Sequence, residues 1–245
     1  MQRKRLIVCI VLLLASLLAN VFLLSRLRAR YENQLMQQVW PTGMASPQLS
    51  PGDPIQSTNV ILLVGDSRMA QWGLPKFNGR VVNAGQAGAT TAQVQLRVPA
   101  LLDEFHPTTV VIQAGINDLK LIGLKPELEP ALIAGAANNL SNVVALCSER
   151  HCRVLLLETW PVGKPELARR FVWNEKIPES VTKLNAKIRA LQSPANGVLV
   201  VDLFKSAAFS PDSRSFRDAL HFDPSVYERL TAALGKIVET DGSQP

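Results

Sequence analysis

Five residues of this chain have the types that acyl-transfer chemistry needs, and they fall in four short stretches. Ser67 lies in Gly65-Asp66-Ser67-Arg68 and supplies a small hydroxyl where an apolar run breaks. His221 closes Asp218-Ala219-Leu220-His221 and can take a proton from that hydroxyl and return it to a leaving group. Asp218, three residues earlier, is within one turn of His221, so its carboxylate can hold the imidazole in one tautomer. Gly85, in the stretch Asn83 to Thr91, and Asn117, in Ala114 to Asp118, can join the Ser67 N–H as donors to an oxyanion. Each stretch also has a plain reading. Glycine-rich turns follow many strands, and Asn or Asp often caps a helix. Taken together, the five residues make a complete set for nucleophilic catalysis.

The elements that must position these residues are legible as apolar runs. Residues 59–65, 80–85, 108–115, 153–159 and 197–203 are five candidate strands, rich in Val, Ile and Leu. The longer runs are continuous rather than alternating, which predicts a parallel sheet covered on both faces. Helices are expected between them: over 90–105 with a break or restart at Pro99, over 126–150, over 178–192, and over 223–239 with Asp223 as N-cap and Pro224 at the first position. Strand and helix alternate, so the fold class expected is α/β, a doubly wound three-layer sandwich around a five-stranded parallel sheet. In such sheets sites form at the carboxyl ends of strands, where the stretches carrying Ser67, Gly85 and Asn117 fall. His106 and His151 read as loop and helix-end residues. Arg68 and Asp118, beside two of the five, are read either as structural or as touching substrate.

The four stretches, in this order, resemble the blocks of the SGNH hydrolases, the GDSL esterase/lipase superfamily. Ser67, Gly85, Asn117 and His221 match the four residues for which that family is named, Gly115-Ile116-Asn117-Asp118 matches its third block in full, and Asp218 to His221 matches its fourth. Arg68 stands where "GDSL" has Leu. The resemblance spans about residues 58–240. It implies a flavodoxin-like sheet and a serine ester hydrolase, with Ser67, Asp218 and His221 as catalytic residues and Ser67, Gly85 and Asn117 as the oxyanion hole. It implies no metal and no cofactor. An acyltransferase would use the same acyl-enzyme, a lysophospholipase or thioesterase the same triad, and a non-catalytic binding protein could keep the fold. The segment 159–179, after the fourth strand, should reach over the site; its Trp160, Phe171 and Trp173 are candidates for contact with an ester substrate, glycan or lipid, or else simply pack the loop down.

The rest of the chain bounds where this chemistry takes place. The net charge is +6, but six cations and no acid fall within residues 1–30, which leaves 20 Lys+Arg against 20 Asp+Glu beyond them. A nucleic-acid partner is therefore not indicated. Between the basic clusters, residues 6–25 are without charge, Pro or Gly, and at about 1.5 Å per residue they are long enough to cross a bilayer core of about 30 Å. We expect an uncleaved signal anchor over 1–30, a juxtamembrane segment over 31–57 in which the helix can extend a few turns past the span before a Pro-rich spacer at 41–54, the hydrolase-like domain over 58–240 and a tail over 241–245. The spacer is expected to hold the domain away from the membrane. Basic flanks of equal size leave orientation open, with the free amino terminus favouring a domain outside the cytoplasm. Cys147 and Cys152 are spaced either for a local disulfide or for two buried thiols.

Overall fold

The computed structural model describes residues 2–39, 59–167 and 169–240. Five strands form one parallel sheet: β1 (Val60–Gly65), β2 (Arg80–Asn83), β3 (Thr109–Gln113), β4 (Arg153–Leu157) and β5 (Val198–Val201), in the order β2-β1-β3-β4-β5. Each lies within its expected run. The order reverses between β1 and β3, so a crevice opens beyond their carboxyl ends. Ser67 follows β1 and Asn117 follows β3, which puts both at that crevice.

Burial explains why these runs are strands. Residues of β1, β3 and β4 alternate between two apolar layers. Leu62, Val64, Val110, Ile112, Val154 and Leu156 face one, and Ile61, Leu63, Val111, Leu155 and Leu157 face the other. The first layer is closed by α3 (Thr91–Phe105), α5 (Glu129–Glu149) and α6 (Ile177–Arg189), and the second by α7 (Leu203–Ser206) and α8 (Pro224–Thr240). Two one-turn helices, α2 (Ser67–Ala70) and α4 (Ile116–Leu119), sit at the crevice itself. Asp223 Oδ1 accepts the Ser225 N–H at 3.0 Å, the expected cap of α8.

One expectation is corrected. Pro99 does not interrupt its helix, because α3 runs unbroken through it from a capping box made by Thr90 and Gln93. The proline falls in the third turn, and flanking Val98, Leu101 and Leu102 bury the helix firmly enough to hold it. Beyond the apolar run, helix α1 (Gln2–Val39) extends for several turns, as expected, and its last turns pack on the domain that follows. Leu35 and Val39 are buried in the first apolar layer, with Tyr31 and Met36 against it. Glu32 pairs with Lys125 at 3.2 Å, and the Thr90 hydroxyl donates to the Gln38 carbonyl at 2.6 Å. Burying each of Leu35 and Val39 is worth about 1.5–3 kcal/mol, which opposes any separation of helix and domain. Residues 31–39 therefore dock on the domain. The Pro-rich stretch 41–54 and the tail 241–245 lie outside the described residues. Upstream of the docked turns, the apolar side chains from Leu6 to Leu24 are exposed, and the helix is long and apolar enough to cross a membrane.

Cys147 and Cys152 are free thiols, both buried, and burial pushes Cys147 up to about 12. The Cys152 thiol donates to the Pro107 carbonyl at 3.1 Å. Alkylation of denatured, unreduced protein should therefore add three labels, one of them on Cys9; a single label would show a Cys147–Cys152 disulfide.

Candidate active site

The path from β1 to Ser67 is a sharp turn. Asp66 caps α2 by accepting the Arg68 N–H at 2.8 Å, which leaves Ser67 as the first residue of the turn. Its hydroxyl meets a side chain from 154 residues away: Ser67 Oγ lies 2.9 Å from His221 Nε2, and His221 Nδ1 lies 2.7 Å from Asp218 Oδ2. The other Asp218 oxygen accepts the N–H groups of Leu220 at 2.7 Å and His221 at 2.9 Å. One carboxylate thus both shapes the loop that carries the imidazole and holds the ring. Burial pushes Asp218 upward, but the hydrogen bond from His221 and those two backbone N–H groups outweigh it and bring Asp218 down to about 2.

Arg68 is structural. It is fully buried, and its guanidinium donates to three carbonyls: Leu220 at 2.7 Å from Nε, Trp160 at 2.7 Å from Nη1 and Pro161 at 2.8 Å from Nη2. It also lies over the Phe222 ring, 5.4 Å from its centroid. Burial lowers it to about 10, against the pull of Asp66 beside it, so it stays a cation at neutral pH. The residue after Ser67 thereby ties down both the loop bearing His221 and the loop leaving β4. Asp118 is structural too. Its carboxylate accepts the Thr91 N–H at 3.0 Å and the Thr91 hydroxyl at 2.6 Å, joining α4 to the start of α3. Burial outweighs these bonds and raises Asp118 to about 6.

The donors around the site are arranged differently from the sequence expectation. The Gly85 N–H is already engaged, donating to Asn83 Oδ1 at 2.9 Å. Gly85 also packs so closely on α2 that a Cβ would overlap the Ala70 N. Its glycine is needed for close approach to α2, and its amide is turned inward. Gly88 has the geometry Gly85 lacks: φ is +77°, the space beside its Cα is open, and its N–H has no acceptor among the described residues. Asn117 donates from Nδ2 to the carbonyl of Ala89, the next residue, at 2.8 Å. That leaves the second Nδ2 hydrogen available, while the buried Oδ1 has no partner among the described residues. Sequence reasoning missed Gly88 because Gly85 and Gly88 differ in backbone conformation, not in type. It also missed Lys120, just past α4. Burial lowers this ammonium to about 8, and the Asp66 charge opposes that shift.

Of the three aromatics named for substrate contact, Trp160 is a correction. It is 2% exposed and packs among Trp72, Phe204, Phe222 and Tyr227, with ring centroids 5.3–6.1 Å away. The strand end that precedes it points the indole into the core rather than over the crevice. Phe171 projects into solvent, 79% exposed. Trp173 lines a cavity of about 790 Å³ with Lys164, Arg170 and Phe216. The cavity borders the catalytic loop, because a Cβ on Gly163 in its wall would lie 3.2 Å from the Asp218 carbonyl. No cluster of metal-ligating side chains occurs among the described residues.

Two outcomes follow from this geometry. Arg68→Met leaves three buried carbonyls without their charged donor, at about 1.5–3 kcal/mol each before relaxation. The urea midpoint should therefore fall by the equivalent of at least about 3 kcal/mol, and an unchanged midpoint would show that Arg68 is dispensable. Asp218 has a depressed folded value, so its stabilisation is complete above the unfolded value of about 3.9 and is lost as pH falls towards 2. The stability gap between wild type and Asp218→Asn should close over that window, and a gap independent of pH would contradict it.

Comparison with known proteins agrees with this architecture. The model of the GDSL-like lipase/acylhydrolase family matches residues 63–229. Esterase TesA of Pseudomonas aeruginosa is 34% identical over 117 residues, which are 41% of this chain and 54% of that protein. The chain thus matches about half the length of that curated relative. Among solved structures, a GDSL-like lipase from Bacteroides thetaiotaomicron superposes with a TM-score of 0.60 at 18% identity, covering 87% of this chain and 98% of that one. The acetylxylan esterase Axe2 of Geobacillus stearothermophilus gives 0.55 at 15%, covering 75% and 95%. At such identities the two structures speak for the fold alone. The family match extends over most of the domain and takes in Ser67, Asn117, Asp218 and His221, so this chain belongs to the GDSL-like lipase/acylhydrolase family of ester hydrolases.

Proposed function

We propose that the chain is a membrane-anchored serine esterase that cleaves acyl esters through a covalent acyl-enzyme. The observation that carries this reading is the continuous chain Ser67 Oγ to His221 Nε2 at 2.9 Å and His221 Nδ1 to Asp218 Oδ2 at 2.7 Å. Ser67 Oγ attacks the ester carbonyl carbon as His221 Nε2 takes its proton. The carbonyl electron pair moves to oxygen, where the Ser67 N–H, the free hydrogen of Asn117 Nδ2 and the Gly88 N–H are the donors we assign. The intermediate then collapses: the bond to the alcohol oxygen breaks, and His221 gives that oxygen its proton. Water attacks the acyl-enzyme by the same route in reverse and frees the acid and Ser67. Asp218 stays ionised and favours the imidazolium at each step.

Helix α1 is read as a single-pass anchor through residues 6–25, with the domain outside the cytoplasm. The sequence alone, through the anchor and the loop aromatics, puts an O-acetylated envelope glycan first and a lipid ester second; two structural features now support the reverse order. Docking of residues 31–39 holds the domain close to the bilayer, and burial of Trp160 removes one of the aromatics that could stack on a sugar.

The test is hydrolysis of p-nitrophenyl acetate, butyrate and octanoate by the full chain in detergent. Ser67→Ala should abolish turnover. Asn117→Ala should lower kcat by about 10²–10³, as loss of one oxyanion donor does elsewhere. Activity that survives Ser67→Ala would overturn the mechanism, and a preference for acetate over octanoate would overturn the lipid assignment.

A further inference from the structure

Past the core of the domain, two large apolar side chains stand free in solvent on one short loop: Leu167, 76% exposed, and Phe171, 79% exposed. Around them, residues 164–176 carry four cations, Lys164, Arg169, Arg170 and Lys176, against two acids, Glu166 and Glu175. Lys164, Arg170 and Lys176 are exposed; Arg169 pairs with Glu166 at 3.3 Å. Two large apolar side chains on one loop leave apolar surface in water that transfer to an apolar phase would remove favourably.

The position of this loop identifies what it faces. Packing orders the docked end of α1 along its axis: Gln38 bonds to Thr90, Glu32 pairs with Lys125, and Tyr31 packs against the same apolar layer as Val172 and Trp173 of the loop. The 169–172 turn packs on the turn Lys120–Gly123, so tightly that a Cβ on Gly123 would overlap the Val172 carbonyl. The loop therefore sits at the end of the docked segment nearest the apolar run. From Ser25, the last residue of that run, to Tyr31 is six residues, or about 9 Å of helix. The headgroup layer beyond a 30 Å hydrocarbon core is itself about 5–8 Å deep. Arg26, Arg28 and Arg30 occupy the same interval on α1.

We propose that the 164–176 loop is a second membrane contact, in which Leu167 and Phe171 enter the interface of the bilayer that α1 crosses and Lys164, Arg170 and Lys176 meet lipid phosphates. The charge complements an anionic surface, and the apolar pair matches the depth of about 5–10 Å that interfacial segments reach. With α1 it makes two points of attachment, which fixes the tilt of the domain. The wall of the cavity beside the catalytic loop, with Lys164, Arg170 and Trp173, is then turned to the lipid surface. This proposal rests on the anchor reading and deepens it, because a substrate embedded in the leaflet reaches the site without leaving the interface.

The test uses the full chain with Cys9→Ala, in vesicles of phosphatidylcholine and phosphatidylglycerol. Single cysteines at Phe171→Cys, Leu14→Cys and Glu149→Cys are labelled with bimane, while the native Cys147 and Cys152 stay buried. Nitroxide lipids labelled near the headgroup should quench Phe171→Cys at least about twofold more than Glu149→Cys, which lies at the far end of the sheet. Lipids labelled deep in the acyl chain should quench Leu14→Cys. Quenching at Leu14 with none above the Glu149 level at Phe171 overturns the loop contact and leaves the anchor standing. Absence of quenching at both Leu14 and Phe171 overturns both readings.

Discussion

A buried guanidinium organises this site. A lone ion in a protein interior costs several kcal/mol even after relaxation. Arg68 meets that cost with three short hydrogen bonds to carbonyls, the charge of Asp66 and the face of Phe222. Those carbonyls belong to segments more than 90 residues away in sequence, and the one side chain joins both of them to the Ser67 turn. Because the cation follows Ser67 directly, the His221 loop cannot move away from the serine without stripping a charge of its partners. The 2.9 Å distance between Ser67 Oγ and His221 Nε2 is kept by electrostatics one residue removed.

The sheet and the loops divide the remaining work. Strands β1 and β3 are buried on both faces, so their ends are fixed, and Ser67 and Asn117 inherit that precision. Asp218 completes the loop by serving two backbone N–H groups and the imidazole at once. Asp118 joins α4 to α3, which sets where Asn117 can point. The N-terminal helix is part of the same assembly. Its docked end bonds to Thr90, next to Ala89, which Asn117 holds. Helix α1 and the site thus share a wall.

Much of this was readable from the chain. Continuous apolar runs mark β1, β3 and β4 most clearly, since a strand covered on both faces needs no polar residue, while β2 and β5 are shorter and part-buried. Asp218, three residues before His221, marks the loop pair. What stayed hidden depends on conformation rather than type. Gly85 and Gly88 look alike in sequence, yet one packs against α2 and the other has φ of +77°. Trp160 sits in a loop-like stretch, but the chain is still leaving β4 and turns the indole inward. The helical content of 31–39 shows no break from the apolar run before it, and only the packing of Leu35 and Val39 reveals that it belongs to the domain.

The central claim is that Ser67 is made nucleophilic by His221 and Asp218. It is tested most directly by a fluorophosphonate probe, with the adduct mapped by peptide mass spectrometry. In that reaction the serine oxygen bonds phosphorus, the P–F bond breaks and fluoride leaves with the proton held by His221. Rapid labelling confined to Ser67, and lost in His221→Ala, is the result this account predicts. A chain that stays unlabelled at Ser67, or labels there equally well without His221, would contradict it.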